Sequence, residues 1–173
     1  MYVASPMVDS SEYAFRVLCR KYGAQLCYTP MLNAKLFLND LTYRRQRFDI
    51  QINEGPTIAQ FAGDNPEILS RAAVIAESLG AAGIDFNLGC PQPIARKGHY
   101  GSALLRETDL IISCVRAMVV AVKVPVSCKI RIIDEGGLDP ATRGLEATIR
   151  LAEEIEAAGC LYLYIGEYIN VTD

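Results

Sequence analysis

A chain of 173 residues with 51% hydrophobic content and a formal net charge of −3 is long enough to bury a core, and reads as one globular domain rather than a disordered tail. That charge gives no global pull toward nucleic acid, so any RNA contact must be local. No apolar run approaches the roughly 20 residues of a membrane span, and no basic segment with an apolar stretch follows Met1; the expectation is a soluble protein of a reducing compartment, the cytoplasm, with the nucleus as an alternative.

Tyr2 to Ala4 reads as a short strand, which Pro6-Met7-Val8 opens into a loop. Asp9-Ser-Ser-Glu12 supplies a helix start for Tyr13 to Tyr22, with a serine or aspartate capping the first amides and Phe15, Leu18 and Cys19 on one side. A second strand is predicted over Gln25 to Thr29, ending at Pro30, then a short helix over Leu32 to Leu38 and a polar excursion carrying Arg44, Arg45 and Arg47. Solvation is the commoner account of that basic cluster, and of Arg96 and Lys97; phosphate contact is the other. Thr57 to Ala62 makes a third strand, and Gly63-Asp-Asn-Pro66 turns into a helix over Glu67 to Leu79. A fourth strand, Ile84 to Leu88, a helix over Asp109 to Val122 and a fifth strand over Val126 to Ile132 follow. Beyond Gly136 to Pro140, the spacing of Leu145, Ile149, Leu151, Ala152, Ile155 and Ala158 is helical, and Leu161 to Ile165 reads as a sixth strand.

Strands alternating with helices predict an α/β fold with a parallel sheet. A doubly wound sheet and part of a (β/α)8 barrel both fit, but the G-x-G-x-x-G fingerprint of dinucleotide sheets is missing. Chemistry-bearing residues recur where strands end: Pro6 and Met7, Pro30, Gln60, Asn87 and Cys90, Lys129 and Arg131. Convergence on one mouth favours the barrel. Cys90 sits between Gly89 and Pro91 at a strand's carboxyl end; an inert half-buried thiol and a thiol aimed into a pocket are equally good readings of that position. The six cysteines lie apart without a C-x-x-C pair, which argues against a zinc site and a disulfide framework and for core thiols.

Six blocks carry a resemblance. Ser5-Pro-Met-Val-Asp-Ser-Ser-Glu12, Tyr28-Thr-Pro-Met31, Gln60-Phe-Ala62, Asn87-Leu-Gly-Cys-Pro-Gln92, Lys97-Gly-His-Tyr-Gly101 and Cys128-Lys-Ile-Arg131 resemble, in order and spacing, the tRNA-dihydrouridine synthases, most closely the eukaryotic type 1 enzymes. The resemblance implies an FMN-binding (β/α)8 TIM-type barrel that reduces uridines of tRNA to 5,6-dihydrouridine, with NADPH as reductant and no metal. By position it implies Cys90 as proton donor to C5 of the uracil and Asn87 and Arg131 as substrate-binding residues. Pro6, Met7 and Val8 would lie against the isoalloxazine, Gln60 at its polar edge and Lys129 as a cation beside its pyrimidine side. A thiol suits a proton donor because ordinary thiols keep their proton at neutral pH. His99, the only histidine, is read as structural or substrate-facing.

From Leu161 the sequence departs from that pattern. Gly166 stands where a flavin-contacting histidine is expected, and neither the last two barrel strands nor the helical domain of the family is recognisable. The expectation is an incomplete barrel of five to six units over residues 1–160, FMN-binding, with a divergent tail over 161–173. Such a truncated chain should be unstable, sticky or rescued by a partner. The alternatives are a catalytically inactive form that only binds RNA or a partner, or another FMN barrel that reduces a small pyrimidine.

Overall fold

The computed structural model describes residues 1–131, 140–160 and 162–165. The predicted break at Gly136, the ends of the fifth and sixth strands at Ile132 and Leu161, and Gly166 with the rest of the tail lie outside the described residues. In chain order the elements are β1 (Val3–Ala4), α1 (Tyr13–Lys21), β2 (Leu26–Tyr28), β3 (Leu32–Asn33), α2 (Ala34–Asn39), α3 (Leu41–Arg47), β4 (Thr57–Ala62), α4 (Pro66–Ser78), β5 (Gly83–Asn87), α5 (Pro93–Lys97), a 3-10 turn (Gly101–Leu104), α6 (Thr108–Ala121), β6 (Val126–Ile130), α7 (Pro140–Ala157) and β7 (Tyr162–Ile165). No described helix is long and apolar enough to cross a membrane.

Every strand pairing is parallel, in the order β1-β2-β4-β5-β6-β7, with β3 alongside the end of β4. Apart from the short β3, strands that follow one another in sequence are neighbours in space, joined by helical crossovers, and the sheet curls into half of a (β/α)8 barrel. The parallel direction puts every carboxyl end at one edge.

Alternation gives each strand two different faces. Outward, Ala59 and Phe61 of β4, Ile84 and Phe86 of β5, and Val126, Cys128 and Ile130 of β6 join the main core. Over them pack Leu69, Ala72, Ala73 and Ala76 of α4 and Ile111, Cys114, Val115 and Met118 of α6, all buried. The three alanines let α4 approach closely, and burial on this scale, at about 25 cal/mol per Å² of apolar surface, is the main stabilising force. The opposite face is polar: the register Gln60↔Asp85↔Ser127 and, one row nearer the carboxyl ends, Asn87↔Lys129 sets five hydrogen-bonding side chains on one face.

Three expectations need correcting. The helix α1 does not bury an apolar stripe: its buried residue is Arg16, and Leu18 is 51% exposed. Nor is it capped by its own Asp9, Ser10 or Ser11; the Tyr13 amide donates to Asp49 Oδ2 at 2.7 Å, while the Ser11 hydroxyl turns back to Met7. The Arg-rich excursion is the helix α3, capped by Asp40, whose Oδ1 accepts from Thr42 and Tyr43. Two of its three arginines bond within the chain. Arg44 donates to the Phe37 and Leu38 carbonyls at the end of α2 and lies 5.2 Å over the Phe37 ring, and Arg47 pairs with Asp9 at 2.9 Å.

Candidate active site

The carboxyl ends of β4, β5 and β6 hold a connected polar group. At its base is Asp85, wholly buried, whose Oδ1 accepts from Ser127 Oγ at 2.6 Å and whose Oδ2 accepts from Gln60 Nε2 at 2.7 Å. The other end of the Gln60 amide, Oε1, accepts from Asn87 Nδ2 at 3.0 Å. Asn87 Oδ1 in turn accepts the backbone N–H groups of Gly89 at 3.2 Å and Cys90 at 3.0 Å. A side-chain oxygen that takes two successive amides of the following turn fixes that turn's backbone, so the position of Cys90 is set from within the strand layer.

Burial pushes the Asp85 carboxyl up to about 6, against the bonds from Ser127 and Gln60 and the nearby Lys129 ammonium, which lower it. Burial likewise lowers Lys129, opposed by Asp85 and aided by Arg131. The two shifts describe one carboxylate and one ammonium, each partly stripped of water and each supporting the other's charge. Arg131 reaches back across the mouth, Nε donating to the Gly89 carbonyl at 2.8 Å.

From the other side the turn is gripped by the segment after α5. The Cys90 carbonyl accepts from both Ser102 N and Ser102 Oγ at 3.0 Å. Half-buried Cys90 packs against Ala62, Ala95 and Tyr100, with Met31 on the same cluster. Gly98 makes room for the Tyr100 ring, since a Cβ there would stand 2.6 Å from Tyr100 Cε1.

His99 locks this segment to two helix starts. Its Nδ1 lies 2.8 Å from Asp64 Oδ2 and its Nε2 2.7 Å from Glu107 Oε1. Carboxylate oxygens only accept, so both ring nitrogens carry hydrogen and the ring is an imidazolium, its pKa raised by Asp64 first and Glu107 second. A raised folded value stabilises the chain below the unfolded value near 6.5, and the gain is lost as pH rises through the folded one. At 46% exposure screening limits the effect to about 1 kcal/mol or less. The melting temperature of the wild type should therefore drop by a few degrees between pH 6 and pH 9, a drop that His99→Gln reduces; equal slopes in the two proteins would remove the imidazolium from this role.

Of the residues singled out in the sequence, Gln60, Asn87, Cys90, Lys129 and Arg131 thus come together in one hydrogen-bonded and charged group. Pro6, Met7 and Val8 do not join it. They follow β1, two positions from β4 in the sheet, with Met7 and Val8 38% and 50% exposed. Both backbone polar groups of Met7 are already used, its N–H donating to Ser11 Oγ and its carbonyl accepting from the same hydroxyl, each at 3.0 Å. The members that sequence reasoning missed are Asp85 and Ser127; strand register alone could have found them.

The description "Dihydrouridine synthase (Dus)" belongs to the family model that matches residues 2–165. A tRNA-dihydrouridine(16/17) synthase-like protein of Mus musculus, whose name carries NAD(P)(+), is 43% identical over 166 residues, covering 95% of this chain and 33% of that protein. A tRNA-dihydrouridine(16/17) synthase of Saccharomyces cerevisiae is 42% identical over 166 residues, covering 94% of this chain and 37% of its own length. The chain spans about a third of the length of these curated relatives. Among solved structures, one assigned to a phosphonomutase of Burkholderia cenocepacia J2315 overlays with a TM-score of 0.60 at 14% identity, covering 94% of this chain and 68% of that one, a likeness of fold alone.

Proposed function

This chain belongs to the dihydrouridine synthase family, and on that premise we propose that its strand mouth is the uracil-reducing end of a flavin enzyme acting on tRNA, with Cys90 as the proton donor. The observation that carries the reading is the bonded series Gln60, Asn87, Cys90 beside the Lys129 ammonium, gathered from three adjacent parallel strands.

The donor set fits the pyrimidine end of FMN. Lys129, half-buried and short of water, would face the electron-rich side of the ring. Gln60 has one amide hydrogen beyond the one given to Asp85, and that second hydrogen would bond the flavin's polar edge. Pro6, Met7 and Val8 would offer an apolar wall through their side faces, because the polar groups of Met7 are consumed by Ser11. When bound, FMN supplies the hydride for C6 of the uracil and is recharged by NADPH.

The remaining steps belong to the protein. Asn87 has given one Nδ2 hydrogen to Gln60 and its oxygen to the turn, so its second hydrogen is the one that would hold a uracil carbonyl. Cys90 Sγ would hold the proton delivered to C5, and the packed Tyr100 and Ala95 keep water from one side of it. Arg131 would present the remainder of its guanidinium to the nucleotide while its Nε stays on the turn.

Flavin content and stoichiometry of the purified 173-residue chain, followed by uridine reduction in tRNA, test this reading. Cys90→Ala should slow dihydrouridine formation by about 100-fold or more, in line with loss of a positioned acid, and leave reduction of the flavin by NADPH intact. Equal loss of both half-reactions, or reduction of free pyrimidine in preference to tRNA, would overturn it.

A further inference from the structure

We propose that Asp85 is a positioning residue that sets the orientation of two buried amides and, through them, the backbone turn presenting Cys90. An ionised carboxylate oxygen can only accept a hydrogen bond. At 2.7 Å from Asp85 Oδ2, the Gln60 terminus must therefore be the NH2 group, which leaves Oε1 toward Asn87. Facing that oxygen, Asn87 must offer its own NH2, which leaves Oδ1 toward the Gly89 and Cys90 amides. A side-chain amide alone has two orientations of similar shape; here the acid selects one, and the choice passes along two side chains to the thiol's backbone.

The acid is itself held. Ser127 Oγ donates to Oδ1 at 2.6 Å and Lys129 lies close enough for its charge to favour the ionised form. The titratable groups that interact with it are Lys129 and Cys128 of β6; Arg131 acts on Lys129, and Cys160 on Cys128, one step further out. The carboxyl itself does not point at the thiol: it is wholly buried beneath Gln60, so it acts through its neighbours.

This inference rests on the reading of Cys90 as proton donor for its functional weight, but its test reads geometry and holds or fails whether or not the chain reduces uridine. The test is amide hydrogen exchange by NMR on the full chain, comparing wild type, Asp85→Leu and Asp85→Asn. Leucine keeps the branched four-atom outline, at a larger volume, and removes both acceptors. Asparagine keeps an oxygen for Gln60, because its nitrogen can donate to Ser127 Oγ, whose hydroxyl then turns to the Ile84 carbonyl 3.4 Å away.

In Asp85→Leu the Gly89 and Cys90 amides should exchange about tenfold faster, the loss expected for one hydrogen bond each. The Ala82 and Ile84 amides, bonded to Thr57 and Pro125 in the sheet, should keep their rates. In Asp85→Asn the Gly89 and Cys90 rates should return to within about threefold of wild type, well inside the cost of one bond. Unchanged Cys90 exchange in Asp85→Leu, acceleration of all four amides alike, or an Asp85→Asn protein as damaged as Asp85→Leu would overturn the proposal. Should Asp85→Leu fail to fold, the wild type decides: Gln60 and Asn87 must each keep one side-chain N–H proton, the one given to Asp85 and to Gln60 Oε1, protected from exchange with solvent, and exchange of both as fast as in a free amide refutes it.

Discussion

Arg16→Met is expected to cost about 3–5 kcal/mol of folding stability, the usual penalty for stranding a buried charge. The guanidinium of Arg16 has no solvent exposure, and neither has the carboxylate of Glu54 opposite it. The pair is bidentate, Nε to Oε1 at 3.1 Å and Nη2 to Oε2 at 3.0 Å. Nη1 also donates to the Ser11 carbonyl at 2.9 Å and Nη2 to the Asp49 carbonyl at 3.2 Å. Asp49 Oδ1 lies 2.9 Å away as a charge contact without hydrogen-bond alignment. The Thr57 hydroxyl donates to the same Glu54.

Methionine fills most of the arginine's volume but leaves the buried Glu54 carboxylate without its cation. Against a net stability of about 5–15 kcal/mol for a domain, that loss decides whether the chain is folded at 37 °C. Arg16→Met with Glu54→Leu should be less destabilised than Arg16→Met alone, since the stranded charge goes with its partner. Urea unfolding of the wild type, both single variants and the double variant measures the coupling. Additive single effects would mean that the pair contributes nothing as a pair.

Why that arginine escaped sequence reading shows where local patterns stop. In α1 the residues Phe15, Leu18 and Cys19 suggest an apolar side, yet the helix lies against β2, near the edge of a half-barrel, and buries a cation that answers acids 33 and 38 residues away. The strand β4, by contrast, is legible to the residue: Thr57 to Ala62 is a β-prone run between Pro56 and Gly63, and all six residues are buried. The helix α3 was hidden because its sequence is polar; it exists through the local Asp40 cap and through Arg44 binding the end of α2, and the second of these depends on the neighbouring helix being there.

The site divides in the same way. Residues at strand ends could be gathered on one mouth from the parallel order alone, which is how Gln60, Asn87, Cys90 and Lys129 were grouped. Asp85 was in plain view, two residues before Asn87, but a lone acid in an apolar strand carries no local signal. Its meaning comes from cross-strand register, Gln60↔Asp85↔Ser127, which needs pairings 25 and 42 residues apart. Likewise the Gly98-His99-Tyr100-Gly101 block was recognisable as a motif, while its physical cause needed Asp64, Glu107 and the Cys90 carbonyl in place.

The last residue of that block gives the second large effect. Gly101→Ala should destabilise the chain by about 2–5 kcal/mol, the sum of about 1–2 kcal/mol for a side chain in the left-handed region and about 1–3 kcal/mol for overpacking. Its φ is +66°, and a Cβ there would stand 2.7 Å from the Cys90 carbonyl oxygen and 2.9 Å from Cys90 Cβ. Those are backbone and near-backbone atoms that cannot swing aside; relief requires moving the turn, against the two Ser102 bonds and the two amides held by Asn87. Gly23 supplies the control. Its φ is +99° with nothing within 4 Å of an added Cβ, so Gly23→Ala should show only the conformational cost, about 1–2 kcal/mol. The two variants differ by the crowding alone, and urea midpoints that move equally would mean that the Cys90 turn yields without cost and that its geometry is not fixed from both sides.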